Sequence, residues 1–214
     1  MSLQLPPEAE ALNTYRNSLA SFAEDCAWTI DQTDRYNPIK KWHNEDYLVY
    51  LLNYMKDEFL AAVVKHRRMR ATWAMCLTYL HDAMFFEGRF NALVSKKEED
   101  SDDLVRRCKF IYDNIPREKL PIKPKAEYKY CVLSFPEISS IIHGFPQGPD
   151  QLRQYTCSRV GCDEFAYWPQ ARATFVAMKP TIEGGGKICL VSTRWPGFFK
   201  EIVEDKIEAA RNAT

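Results

Sequence analysis

The stretch AAVVKHRRMRATWAMCL, Ala61 to Leu77, decides how the chain is read. Phe59 to Val64, which includes the apolar run Leu60 to Val64, reads as a short buried strand. It meets a basic cluster of Lys65, His66, Arg67, Arg68 and Arg70, and a helix-forming run begins at Thr72. A phosphate-binding loop has this order of parts. Backbone N–H groups at a helix start face the anion, a lysine reaches the phosphates, and a Ser/Thr hydroxyl reaches Mg2+. Set against GxxxxGK[ST], residues 65–72 keep only Thr72. Lys65 and Arg70 stand where the pattern has glycine, and Ala71 where it has lysine. The segment therefore works as a phosphate loop only if Lys65, at its start, points back over the phosphates. Taken alone, a basic loop that is solvated or touches nucleic acid is the plainer reading.

Two later segments change the balance. SRVGCDE, residues 158–164, reads as a strand ending in Asp163-Glu164. Adjacent acids at the C-terminal edge of a sheet form a Walker B arrangement, the first holding Mg2+ and the second deprotonating the attacking water. GKICLVS, residues 186–192, reads as a strand leading into Ser192-Thr193, whose hydroxyls can sense a γ-phosphate or simply make turn hydrogen bonds. A loop with Lys and Thr, then Asp-Glu, then Ser-Thr, each after a strand, is the order of an additional-strand P-loop motor ATPase. Gly184 to Lys187, within EGGGK, imitates a phosphate loop but precedes a strand, so it reads as a flexible turn. The Ser, His and Cys residues show no nucleophile-elbow pattern.

The rest of the chain fits between these anchors. Residues 8–30 read as helix from Ala, Leu and Phe at spacings of three and four, and DQTDRYNPIKKW as a polar connector. Residues 44–57 read as an amphipathic helix with Asn44 as N-cap, and 72–86 as a helix ended by Gly88. RFNALVS reads as a strand. EEDSDDLVRRCKFIYDNI reads as a helix with acids first and bases later, as the helix dipole favours, and Pro116 stops it. A Pro/Lys-rich loop, residues 116–128, precedes a β-hairpin of 129–135 and 138–145. Helices are expected at 169–178 and 197–212. Strands alternating with helices give an α/β fold with a mainly parallel central sheet flanked by helices, plus a small N-terminal helical extension.

Bulk properties narrow the function. Net charge is zero, so any nucleic-acid binding comes from local patches. The seven cysteines have no CxxC pair and there are only four histidines, which argues for reduced thiols and against a zinc site. The N-terminal residues lack a signal-peptide core, and no run approaches the roughly 20 apolar residues of a membrane span. A soluble intracellular protein is expected.

Together, VVKHRRMRATW, SKKEEDSDDLVRRCKFIYDNIP, FPQGPDQLRQYTCSRVGCDEFAYWPQA, KPTIEGGGKICLVST and WTIDQTDRYNPIKKWHNEDYL resemble the ATPase domain of the large terminase subunit of tailed bacteriophages, over about residues 25–205. That family has a deviant Walker A with an early lysine. The resemblance implies a RecA-like P-loop NTPase over residues 37–214, with residues 1–36 as a helical extension or lid. It implies ATP and Mg2+ as cofactors. The loop Lys65, His66, Arg67, Arg68, Met69, Arg70, Ala71, Thr72 and Trp73 would hold the nucleotide, with Lys65 on the β- and γ-phosphates. Thr72 and Asp163 would bind Mg2+, and Glu164 would be the catalytic base. Ser192 and Thr193 would couple hydrolysis to movement, and residues near Trp42 to Glu45 would flank the adenine. Arg153, ten residues before Asp163, is the candidate for an arginine finger reaching a neighbouring subunit.

The implied partners are double-stranded DNA, the portal protein, the small terminase subunit and further copies in a ring, in the host cell cytoplasm. Full large subunits continue into an RNase H-like nuclease domain. The segment after Thr193 is short and mostly helical, so motor parts without a nuclease are expected. Arg70 and Ala71 depart from the wider fold's glycine and lysine. A side chain at position 70 disfavours the left-handed backbone that a glycine there would adopt. The alternative reading is a non-hydrolysing DNA- or partner-binding module whose degenerate loop grips its partner directly.

Overall fold

The computed structural model describes residues 7–67 and 69–212, so the candidate Arg68 lies outside the described residues. Two helices, α1 (Pro7–Asn17) and α2 (Leu19–Cys26), lead into a two-stranded ribbon, β1 (Trp28–Ile30) and β2 (Ile39–Lys41), and then α3 (Asp46–Asp57). The α/β part runs β3 (Leu60–Val64), α4 (Ala71–Phe85), β4 (Phe90–Ser95), α5 (Glu98–Asp113), β5 (Glu127–Lys129), β6 (Val132–Phe135) and β7 (Ser140–Pro146). It continues with β8 (Arg159–Asp163), α6 (Ala171–Met178), β9 (Lys187–Ser192) and α7 (Phe198–Asn212).

The seven-stranded sheet has the order β3-β9-β8-β4-β7-β6-β5. The first five are mutually parallel, and β6 and β5 continue antiparallel. The late strand β9 is inserted between β3 and β8, which is the additional-strand arrangement. Register does the positioning. Val64 pairs with Ser192 and Val191 with Asp163, so the ends of β3, β9 and β8 meet at one edge.

The central strand β8 is buried along its whole length because helices cover both faces. On one face α4 packs with α1, α2, α3 and α5 in a core that includes Phe22, Trp42, Leu52 and Tyr79; on the other, α6 and α7 pack over Phe165, Phe175 and Leu190. Gly161 permits the close approach of α4, since a Cβ there would lie 2.9 Å from Met75 Sδ and 3.0 Å from the Tyr79 ring. Among the described residues no helix is long and apolar enough to cross a membrane.

Several sequence expectations need correction. The helix expected over 8–30 breaks at Ser18, whose hydroxyl accepts from the Ser21 N–H and caps α2. Its last residues, 28–30, are a strand paired with 39–41 from the expected connector. Asp31 and Asp34 make the reversal by accepting backbone N–H groups from Thr33, Tyr36 and Asn37. Asn44 does not cap α3, whose N-cap is Glu45. Its side chain instead accepts from Trp42 Nε1 and donates to the Ala20 carbonyl, bridging to α2. Helix α4 ends at an extended Phe86, and Gly88 serves the following turn at φ +66°. Residues 127 and 128 of the expected loop, with Lys129 from the expected hairpin, form β5 and add it to the sheet.

The opposite edge of the sheet holds a polar network around a buried carboxylate. The carboxylate of Asp82 accepts from Arg89 (2.9 and 3.1 Å), Arg159 (3.0 Å) and Asn91 (3.0 Å). Burial alone would raise the Asp82 pKa, but the Arg89 hydrogen bonds and the charges of both arginines bring it below the usual carboxylate value. Arg159 also donates to the carbonyls of Met55 and Lys56, and Lys187 to those of Lys56 and Asp57. These two cations satisfy the end of α3, where helix carbonyls lack partners and the dipole favours positive charge.

Candidate nucleotide site

At the edge where these strand ends meet, β3 leads into Lys65, whose N–H continues the ladder to the Ser192 carbonyl at 2.9 Å. The chain reverses through the basic loop and enters α4 at Arg70. Arg70 adopts the left-handed region, φ +54° and ψ 14°. So the backbone takes the shape a glycine would take, with an arginine in its place. A non-glycine residue there costs about 1–2 kcal/mol. The Arg70 guanidinium pairs with Glu45 and stacks over the buried Trp42 ring at 5.4 Å. A half-exposed ion pair and a cation–π contact together offset about 1 kcal/mol of that cost. Among the described residues no side chain caps the first turn of α4, which leaves its N–H groups as an anion-binding end.

Lys65 does point back. Its Nζ donates to Thr72 Oγ1 and to Asp163 Oδ1, both at 2.8 Å, and lies 3.1 Å from Glu164 Oε1. Thr72 Oγ1 is 3.2 Å from both Asp163 oxygens. Four residues from three chain segments thus converge, with the ammonium among the oxygens of a hydroxyl and two carboxylates. A hard cation is suited to such oxygen donors, and Mg2+ typically takes one or two carboxylates with phosphate and water. The donor set fits Mg2+ held by Thr72 and Asp163. Glu164 is more open than its neighbours, with 42% of its side chain exposed against 12% for Asp163. It too is left-handed, at φ +52°.

A cleft of about 890 Å3 opens over this edge. Lys65, His66, Arg67, Met69, Arg70, Ala71, Thr72 and Trp73 line its floor, with Glu164 and Thr193 on one side. Ser192 is buried below, its hydroxyl accepting from the Ala166 N–H at 3.1 Å, and Thr193 Oγ1 is 2.6 Å from the Tyr167 hydroxyl. The turn after Glu164 is therefore tied twice to the end of β9.

Two expected site residues, Trp42 and Arg153, are placed differently. Trp42, expected to flank the adenine, is fully buried; the same segment, residues 28–48, lines the cleft instead through Thr29 to Thr33 and Lys40. Arg153 lies outside the cleft, exposed, with Asp150 at 3.4 Å and the Pro149 carbonyl as its partners. The lysines of the Pro/Lys-rich loop turn partly inward: Lys119 pairs with Asp25 at 3.1 Å, and Lys123 donates to the Tyr112 carbonyl at 2.6 Å.

The sequence reading also missed a wall. Asp103, Arg106, Arg107 and Phe110 of α5 line the cleft, and Arg107 lies over the Trp73 ring at 5.3 Å. The pair Arg106-Arg107 three residues after Asp103 puts charge on one helix face, and that was the available signal.

Comparison with solved structures identifies the architecture. The chain superposes on the crystal structure of the HK97 bacteriophage large terminase with a TM-score of 0.71 at 10% identity, over 92% of this chain and 42% of that one. The fold is that of a phage large-terminase ATPase domain. The large terminase of a thermophilic bacteriophage, in complex with ADP, gives 0.56 at 14% identity, covering 78% of this chain and 43% of that one. An ATPase-domain variant of the Thermus phage P74-26 large terminase gives 0.55 at 16%, covering 73% of each. The chain thus spans about two fifths of the HK97 protein and of the ADP-bound terminase. No protein-family model matches the sequence, and no curated protein matches it.

Proposed function

We propose that this chain is the ATP-hydrolysing motor domain of a phage DNA-packaging machine. The observation that carries the reading is the convergence of Lys65, Thr72, Asp163 and Glu164 beneath an uncapped helix N-terminus, on a terminase-type sheet. A thermophilic phage terminase of the same fold was solved in complex with ADP, which supports nucleotide as the ligand.

The phosphates of ATP lie at the N-terminus of α4, and Lys65 leaves its acidic partners to contact the β- and γ-phosphates. Thr72 and Asp163 would hold Mg2+, which would supply charge neutralisation for the transferring phosphoryl group. Glu164 accepts the proton of a water attacking the γ-phosphorus, and the bond to the ADP oxygen breaks. Ser192 and Thr193, tied to the turn after Glu164, pass the change along β9. Residues 37–214 carry the ATPase unit, with residues 1–36 as an N-terminal extension whose α1, α2 and β1 pack beside it. Arg153, exposed on its own subunit, reaches a neighbour's nucleotide in a ring on the portal, in the host cytoplasm. DNA is contacted mainly through its phosphates, and the small terminase subunit delivers it.

Calorimetric titration with a non-hydrolysable ATP analogue and Mg2+ tests this reading. The expected result is saturable binding that Lys65→Ala abolishes. Absence of binding at millimolar analogue, with salt-sensitive DNA affinity instead, would establish the non-hydrolysing binding module.

A further inference from the structure

Arg70 occupies the position where a phosphate loop usually relies on glycine, in a left-handed conformation that a side chain disfavours. Its guanidinium is turned toward β2 and α3. It pairs with Glu45, the N-cap of α3, and stacks on Trp42 at the end of β2.

That platform is itself fixed. Trp42 is fully buried, and its Nε1 donates to Asn44 Oδ1 at 3.0 Å. The Asn44 amide donates to the Ala20 carbonyl at 2.9 Å, and its backbone N–H donates to Glu24 Oε2 at 2.5 Å. An unbroken line of contacts therefore runs from the start of α4, through Arg70, Trp42 and Asn44, into α2.

From this we infer that Arg70 is a positioning residue, a clamp that holds the glycine-poor loop in phosphate-binding shape by anchoring it to the Trp42–Glu45 platform, not a cation that grips phosphate. The inference rests on the nucleotide-site reading for its role, but the clamp itself exists without ligand. It explains how Lys65 to Arg70 dispenses with glycine. The backbone follows the path a glycine would take, and contacts outside the cleft offset the cost. It also gives the N-terminal helices a part in the site, since they fix the anchor.

The geometry separates the clamp from a phosphate-gripping arginine. A phosphate ligand would lose most of its function on Arg70→Gly, and Glu45→Ala would free it and tighten binding. A clamp behaves in the opposite way. Arg70→Ala keeps the strain and loses the anchor, whereas Arg70→Gly removes both together.

Two readouts on the intact chain decide. The first needs no nucleotide: amide exchange from Met69 to Ala74 in wild type, Arg70→Ala, Glu45→Ala and the double variant, with thermal midpoints to confirm folding. Both single variants should raise exchange several-fold, and the double variant should exchange no faster than Arg70→Ala. Unchanged exchange in Glu45→Ala, or additive effects, overturns the clamp. The second is affinity for a non-hydrolysable ATP analogue with Mg2+. Arg70→Ala should weaken it about tenfold, the equivalent of about 1.4 kcal/mol, and Arg70→Gly should stay within about threefold of wild type. A loss in Arg70→Gly as large as in Arg70→Ala, or tighter binding in Glu45→Ala, overturns the clamp and makes Arg70 a ligand. A wild type that binds no analogue defeats the ATPase reading, and the exchange measurement still decides the clamp.

Discussion

Strand β8 begins with Arg159 and ends with Asp163, and the two ends of this one strand are used in opposite ways. At the first, Arg159 and Arg89 close around Asp82, which is 4% exposed, with Asn91 completing its hydrogen bonds. At the second, Lys65 meets Asp163, Thr72 and a half-open Glu164 under a cleft of about 890 Å3. Both are cation–carboxylate clusters. One keeps its carboxylate covered, with Arg89 partly exposed at the rim, and joins α3, α4, β4 and β8. The other borders the cleft, and its ammonium lies where a metal and phosphates can take over its partners. A buried pair without one member leaves an uncompensated charge, whereas Lys65 has a second carboxylate, Glu164, that is open to the cleft. Lys65 and Asp163 are themselves only 11% and 12% exposed, so access through the open Glu164 and the cleft, more than burial of the pair, separates the chemical cluster from the structural one.

The sharpest way to break this contrast is to remove the base. Glu164→Gln should lower ATP turnover roughly 10²–10⁴-fold, the range of general-base catalysis, while analogue binding persists; loss of binding instead would make Glu164 a ligand. Acid should act on the closed side of the molecule. Burial lowers the His81 pKa from 6.5 to about 4, and its Nε2 lies 2.7 Å from the Tyr15 carbonyl. The unfolded chain therefore binds the extra proton first. Stability is full above pH 6.5, falls between 6.5 and 4, and loses on the order of 3 kcal/mol in all. Urea unfolding across this window should show the slope, and His81→Gln should flatten it.

Gly161→Ala forces a methyl against Met75 and Tyr79, at a cost of about 1–3 kcal/mol. Because α4 and β8 carry Thr72 and Asp163, analogue affinity should fall with it, and an unchanged melting midpoint would contradict the close packing. The smallest effect is expected at Lys119, whose pair with Asp25 is 45% exposed on the lysine side. Lys119→Ala should change unfolding free energy by less than about 1 kcal/mol.

The α/β architecture and the convergence of Lys65, Thr72, Asp163 and Glu164 were legible because each residue sits at a strand or helix end. Strand direction and order then bring those ends together. The N-terminal region was less legible. Residues 28–30 read as helix because a short strand carries little period of its own. What decides it is pairing with residues 39–41, which lie beyond a turn made by Asp31 and Asp34. Arg70 reads as an obstacle to phosphate binding because the sequence does not show where its guanidinium goes. Only the fold brings Trp42 and Glu45 to it. Arg107 was missed because α5 reads as an amphipathic helix whichever way its charged face turns.

The most direct test of the contrast is urea unfolding of Asp82→Ala beside Asp163→Ala, each followed by titration with the Mg2+–ATP analogue. The account predicts that Asp82→Ala loses roughly 3–5 kcal/mol of stability, as breaking a buried pair does, and still binds analogue while folded. It predicts that Asp163→Ala is destabilised less than Asp82→Ala, because Glu164 remains beside Lys65, and loses Mg2+-dependent binding. Equal destabilisation with nucleotide binding intact in Asp163→Ala would contradict it, and would make the Lys65 cluster a second structural network.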